Sequence, residues 1–421
     1  MEGKPVALAV NTVWVVLAGA LVFFMEGGFA LLEAGLVQTK NALSIVMKVM
    51  ADVTVGSIVY ALLGFGLMFG LSRAGLFGTT GYFLGPLRTG PLTVSEPVFW
   101  FFEMAFAVAA VSIVSGAVSE RMRFPAYLLY VVVGILAYSV SGHWVWGPGG
   151  WLAGLGMRDF AGSAVVHAFG GFSALAAAAV LGARLGRFEP GTEFLPSNLP
   201  LAFTGTFILW FGWFGFNAGS TLSAFAPDIG QIVANTMLSA AAAGLVAVLW
   251  SRWRFDAYDP TMAINGVLAG LVAITAGCAY VPVWAGGLIG VAAGVLVVES
   301  TGWLEAWGID DPVGAFPVHG ANGLLGTVAV GLFATQGGLF MGDGPHLLGV
   351  QLLGAAAVAV WGFGVTYVAF AVLRALGILR VSADEERVGL DWALHGRHAY
   401  HHPGPAAAER ARPASAGHTL V

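Results

Sequence analysis

Apolar residues in this chain gather into runs of about 20, each closed by charges or by clusters of Pro and Gly, the signature of helices that cross a bilayer. Eleven such runs can be marked, near 7–37, 41–70, 96–119, 124–144, 160–183, 199–219, 228–250, 261–279, 282–303, 313–335 and 346–376. The pattern predicts an all-α polytopic membrane protein with eleven transmembrane helices. The eighth and ninth runs share a very short turn between Cys278 and Pro282.

Composition narrows the class further. Hydrophobic residues make up 58% of 421, charged residues 10%, and there are 61 glycines; mean hydropathy is +0.82. A soluble domain with a polar surface is excluded. The single Cys278 excludes a disulfide framework and a cysteine metal cluster. The net charge of −5 points to no partner class, and nothing suggests nucleic acid. The first apolar run continues far past the roughly 7–15 residue core of a signal peptide, so no cleaved segment is expected.

Loop charges orient the spans. Lys40, Arg121, Arg123, Arg184, Arg187, Arg252 and Arg254 follow odd-numbered runs, whereas Lys4, Arg73, Arg88 and Arg158 precede run 1 or follow even-numbered ones. Seven against four puts the odd loops and the C-terminal tail in the cytoplasm and the N-terminus outside.

The chain also repeats itself. DFAGSAVVHAFGG, Asp159–Gly171, returns 152 residues later as DPVGAFPVHGANG, Asp311–Gly323, both reading DxxGxxxVHxxxG. With the orientation above, the two copies enter the membrane from opposite faces. This predicts an inverted repeat of spans 1–5 and 6–10, with span 11 added and the functional site at the repeat interface. Each Asp reads as a helix cap or as a direct ligand; Pro312 after Asp311 favours the cap there. If the Asp caps the helix start, a His eight residues in lies about 12 Å down the helix, near half of a bilayer core of about 30 Å.

An imidazole at that depth is costly without a partner, and intramembrane ionisable groups mark pathways. His167 and His319 have no Ser or Cys nucleophile beside them, and two nitrogens make a poor metal site, so neither an enzyme nor a bound cofactor is expected. Paired imidazoles can exchange protons or hydrogen bonds with a small weak acid or base. Other charges fall inside the runs. Glu26 and Glu33, one heptad apart, and Lys48 and Asp52, at i and i+4, read as an internal ion network at a helix or subunit interface, with structure rather than transport the expected role of all four. His143 reads as an interfacial histidine.

Six segments in order carry a family likeness: Phe23–Ser44, Ser119–Phe124, DFAGSAVVH, WFGFNAGS (Trp213–Ser220), Asp310–Gly320 and Gly389–Tyr400. Together they resemble the ammonium transporter family, Amt/Mep/Rh, and its Amt branch in particular, over about residues 10–400. The resemblance implies a homotrimer with one pore per subunit, ammonium or ammonia as substrate with methylammonium as an analogue, and a multi-pass location in the plasma or inner membrane. It implies that His167 and His319 line the pore, that Phe106 and Phe216 form an outer gate, and that Trp146, Ser220 and Asp159 form the recruitment site. Glu103 stands where the family more often has Gln; an acid there either strengthens cation recruitment or faces a neighbouring subunit.

The tail from about 380 changes composition. Residues 380–421 read as a cytoplasmic tail appended to a transmembrane domain of residues 1–379, disordered after about 403, with His401 and His402 only a weak metal tract. The resemblance implies that the portion to Tyr400 couples subunits and that a PII-type signal protein plugs the inner mouth. The expected activity is ammonium transport with deprotonation and a relayed proton. A non-electrogenic channel for ammonia or carbon dioxide, and an ammonium receptor signalling through a partner, stand as alternatives.

Overall fold

The computed structural model describes residues 3–400, and it is mostly helical. The helices in order are α1 Gly3–Leu36, α2 Thr39–Phe69, α3 Glu96–Ala117, α4 Phe124–Val145, α5 Ser163–Leu181, α6 Leu199–Gly219, α7 Ile229–Phe255, α8 Pro260–Thr275, α9 Val283–Ala306, α10 Phe316–Phe333 and α11 His346–Ala375. Ten of these are long and apolar enough to cross a membrane. The exception is α8, whose 16 residues give about 24 Å. The expected run 261–279 is cut short because Ala276–Pro282 turns back toward α9, so the count of eleven rests on this shorter helix.

Local chemistry sets the helix starts. Asn198 and Asp259 cap α6 and α8 by accepting from Leu201 N and Thr261 N, each with a proline in the first turn. Pro97 and Pro125 open α3 and α4 in the same way. Two tail helices, α12 Ala383–Val388 and α13 Leu390–His395, follow, the first opened by a reciprocal Ser382–Glu385 capping box.

Burial separates centre from periphery. In α3 and α5, 83% of the most apolar stretch is buried, against 28% in α1, whose outer face keeps Val13 and Leu17 exposed. The packing partners repeat between halves: α2 packs on α3 and α4 as α7 packs on α8 and α9, while α1 and α6 lie against each other. Gly28, Gly35 and Gly205 allow that last contact, since a Cβ on any of them would strike the facing helix. The tail docks under α2, with Asp391 accepting from Leu43 N and Ser44 N, and Lys40 Nζ donating to the carbonyls of Glu386 and Arg387. His401, His402 and the stretch after 403 lie outside the described residues.

Candidate functional site

Both copies of the repeated motif fold alike. Asp159 accepts from the amides of Gly162, Ala164 and Val165, each at 2.9 Å, and Asp311 from those of Gly314 at 3.1 Å and Phe316 at 2.8 Å. Gly162 (φ 114°) and Gly314 (φ 78°) adopt the left-handed backbone that lets each Asp reach over the turn. Both aspartates are therefore caps, as their position suggested. Each sits outside its helix, however, so His167 lies four residues past the start of α5, about 6 Å rather than 12 Å along it.

The depth is recovered by a different route. A Cβ on Gly171 would strike the Gly320 backbone, one on Gly323 would meet Ala168 N at 2.7 Å, and one on Gly326 would meet Ser163 Oγ at 2.7 Å. As the α5 number rises the α10 number falls, so the two helices run antiparallel and overlap only by their N-terminal turns. From the overlap, Leu181 and Phe333 leave in opposite directions by about 20 Å and 15 Å. The histidines consequently meet near the middle of the bundle. Both stand in π-helical turns, Ser163–Ala168 and Phe316–Ala321, and His167 N bonds Gly162 O five residues back at 3.0 Å. A π turn widens the helix locally and recurs at functional sites.

The rings face each other directly. His167 Nδ1 and His319 Nδ1 are 3.1 Å apart and the rings stack at 5.2 Å. One Nδ1 must carry the hydrogen and the other accept it, so the two neutral imidazoles hold opposite tautomers. The Nε2 of His167 is buried without a protein partner. Phe216 stacks on His167 at 5.6 Å, Phe106 on Phe216 at 4.0 Å, and Trp146 meets Phe106 edge-on at 6.2 Å. On the far side Phe29 lies 6.2 Å from His319. The six rings form one file, Trp146, Phe106, Phe216, His167, His319, Phe29, in which Phe106 and Phe216 stack over His167.

Asp159 joins this file through its carbonyl, which accepts from Trp146 Nε1 at 2.6 Å. Its carboxyl group is turned inward to the amides; burial pushes its pKa up to about 6, against the downward pull of those amides. Ser220 closes α6 one turn beyond Phe216 and donates to the Phe216 carbonyl at 2.8 Å. No hydrogen bond among the described residues links Ser220 to Trp146 or Asp159.

Sequence reading passed over three residues that shape the site. Trp213 stacks on His167 at 5.1 Å and donates to Thr275 Oγ1 at 2.9 Å; its i, i+3 spacing to Phe216 was the available signal. Ser163 donates to Val272 O and accepts from Ala276 N, each at 2.7 Å, pinning the start of α5 to α8. Phe29 carried no local signal.

Several other expectations are corrected. The four intramembrane charges form no ion pair with one another: Glu26 accepts from Ser112 at 2.8 Å, Glu33 from Ser115 at 2.6 Å and Asp52 from Tyr127 at 2.8 Å, while Lys48 Nζ reaches only Val118 O at 3.5 Å. Hydroxyls, abundant on α3 and α4, meet the acids instead. His143, two residues from the end of α4, is buried and clamps Met68 O at 2.7 Å and Ser72 Oγ at 2.8 Å, tying α4 to the end of α2. Glu103 is buried on the α3 stripe of Phe106, one turn away, and its Oε2 has no partner.

At the other end, Arg184 bonds Glu120 at 2.6 Å and Asp310 at 2.8 Å, and the Arg121 guanidinium donates to the Asp310 carbonyl at 2.7 Å. Burial alone would raise Asp310, but the Arg184 bonds and the Arg121 charge outweigh it and hold its pKa below the ordinary aspartate value. Glu386 of the tail joins this cluster, bonding Arg380 Nη2 and Leu185 N at 2.8 Å and 2.7 Å.

The family model described as Ammonium Transporter Family matches residues 13–400. The chain is 44% identical over 418 residues to ammonium transporter Amt2 of Archaeoglobus fulgidus, covering 93% of this chain and 88% of that one. It is 39% identical to the ammonium transporter of Bacillus subtilis, with coverages of 93% and 98%. Among solved structures, one named Sensor Amt Protein superposes with a TM-score of 0.88 at 38% identity, covering 94% of this chain and all (100%) of that one. Candida albicans Mep2 superposes with a TM-score of 0.83 at 30% identity, with coverages of 90% and 87%.

Proposed function

The chain belongs to the ammonium transporter family, and from that membership we propose that it carries ammonium across a cell membrane as ammonia and a separately relayed proton. The observation that carries this reading is the His167–His319 contact of 3.1 Å at the end of an aromatic file.

Trp146 and Phe106 offer ring faces to a cation, an attraction of about 0.5–2 kcal/mol, and the Ser220 oxygen accepts an ammonium hydrogen bond. The Asp159 charge adds to the attraction from behind. Potassium matches ammonium in charge and size but can neither donate a hydrogen bond nor lose a proton. Below Phe106 and Phe216 the surroundings are apolar, and an ammonium ion there is favoured to give up its proton. The N–H bond breaks, an imidazole nitrogen takes the proton, and ammonia continues as a neutral solute. The paired tautomers then hand the proton from ring to ring. In this reading the protein works as a homotrimer with one pore per subunit. Its N-terminus lies outside, its tail is cytoplasmic, and a PII-type signal protein is a partner at the inner face. It transports rather than catalyses.

Recording from proteoliposomes tests this. Ammonium and methylammonium pulses should evoke saturable current and potassium none, and His167→Ala should abolish the current; full current in that variant refutes the relay. Likeness to a protein named Sensor Amt Protein supports one further reading, a receptor that binds ammonium and barely conducts. Tight binding with silence for all three ions would establish it in place of transport. Uptake of ammonia without charge movement would instead favour the gas channel.

A further inference from the structure

The inner half of the bundle contains a second polar feature that the aromatic file does not use. On α1, Glu26, Phe29 and Glu33 fall on one stripe, at i, i+3 and i+7. Phe29 touches His319, so the two carboxyl groups stand one turn to either side of the last ring of the file. Both face hydroxyls of α3, Glu26 with Ser112 at 2.8 Å and Glu33 with Ser115 at 2.6 Å. Both are buried, at 4% and 2% exposure, and among the described residues no cation lies within salt-bridge distance of either, the Lys48 charge acting on Glu33 from farther away.

Two observations separate this arrangement from ordinary helix packing. Among the described residues Glu26 Oε1 is buried with no partner, and so is the hydroxyl of Ser119, in the turn just past the end of α3 and four residues beyond Ser115. Glu33 also borders the chain that leads into the second motif: a Cβ on Gly116 would sit 3.2 Å from Glu33 Oε1 and would touch Val313 as well. Below Ser119 comes Glu120, whose carboxylate binds Gln38, Asn41 and Arg184 at the inner end of the bundle. Counted back from Leu36, Glu26 lies about 15 Å and Glu33 about 5 Å from that end. The seam therefore descends in steps from the level of His319 to the inner surface.

A carboxyl group inside a membrane without a cationic partner is able to hold a proton and pass it on, and chains of such groups mark proton paths. We infer that Glu26 and Glu33, with Ser112, Ser115 and Ser119 between them and Glu120, form the inner arm of the proton route that begins at the histidine pair. This rests on the reading that ammonium is split at those histidines. An N–H bond on His319 breaks and an O–H bond forms on Glu26 or Glu33, through water in the inner passage. The carboxyl group then releases the proton toward Glu120 and the aqueous face while ammonia leaves by the apolar passage. Asp52, held by Tyr127, faces this seam from α2, near Ser112 and within reach of both glutamate charges, but takes no step in the route.

The test compares charge with ammonia in proteoliposomes bearing Glu26→Gln, Glu33→Gln, the double variant and Asp52→Asn. Ammonium-evoked current should fall at least tenfold in the double variant while ammonia still enters and alkalinises the lumen; Asp52→Asn should keep both. Glu26→Gln and Ser112→Ala, the mildest changes, serve if the double variant does not fold, each lowering the ratio of current to ammonia flux. Retained current overturns the inference. A parallel loss of current and ammonia flux also overturns it, by making the seam only a support for the passage. Full current in His167→Ala would sink the parent reading itself, whereas loss there with retention in the glutamine variants sinks only the inner arm.

Discussion

Gly171→Ala tests how closely the histidine pair depends on the crossing of α5 and α10. A Cβ at this position would lie 2.7 Å from the His319 carbonyl carbon and would strike the Gly320 backbone. Carbon atoms in contact need about 3.5 Å, and the Gly320 backbone is nearer still than that carbonyl carbon, so the helices must part by at least about 0.8 Å. The contact of 3.1 Å between the two Nδ1 atoms then opens to about 3.9 Å or more, beyond hydrogen-bond reach. Overpacking costs about 1–3 kcal/mol, and leaving buried ring nitrogens unpaired costs a similar amount. A total of about 2–6 kcal/mol should lower the melting temperature in detergent by roughly 2–6 °C, at about 1 °C per kcal/mol for a chain of this length. Misplacement by nearly 1 Å should lower ammonium-evoked current by between about tenfold and a hundredfold. Gly302→Ala, where a Cβ meets open space, is the control and should leave both unchanged. Wild-type current and an unchanged melting temperature in Gly171→Ala would refute the claim that this glycine sets the spacing of the pair.

Four other expectations follow from the same geometry. Arg184→Ala should destabilise by about 3–5 kcal/mol, because it leaves buried Glu120 without its cation and Asp310 with only the Arg187 contact at 3.5 Å; a thermal shift below about 2 °C would contradict this. Since the folded Asp310 pKa is lowered, its stabilisation is complete above about pH 4 and is lost as pH falls through the folded value. Asp310→Asn should remove that acid-side loss from a stability–pH profile. If the Asp159 charge aids recruitment, apparent ammonium affinity should strengthen as pH rises through about 6, and Asp159→Asn should abolish that inflection; an inflection that survives would assign it elsewhere. Trp213→Phe keeps the stack on His167 but removes the bond to Thr275, and should cost about 1 kcal/mol; a loss above about 3 kcal/mol in unfolding measurements would mean that the bond orients the whole α6–α8 contact.

By itself the sequence determined the membrane class, nearly all the spans, the doubled motif and the pairing of His167 with His319. These follow from local rules: apolar runs must cross the bilayer as helices, and an ionisable group repeated in register needs a partner. Charge sign could not reveal how the intramembrane acids are satisfied. Glu26, Glu33 and Asp52 take hydroxyl partners 75–86 residues away in the chain, and hydroxyl residues are too common to flag in advance. Only the tertiary structure decided that α5 and α10 begin inside the bundle and overlap by their first turns, because that depends on glycines from two distant segments meeting backbone to backbone. The same crossing places Phe29 and Trp213 against the histidines, selected by helix packing from among 29 phenylalanines and 14 tryptophans that look alike along the chain.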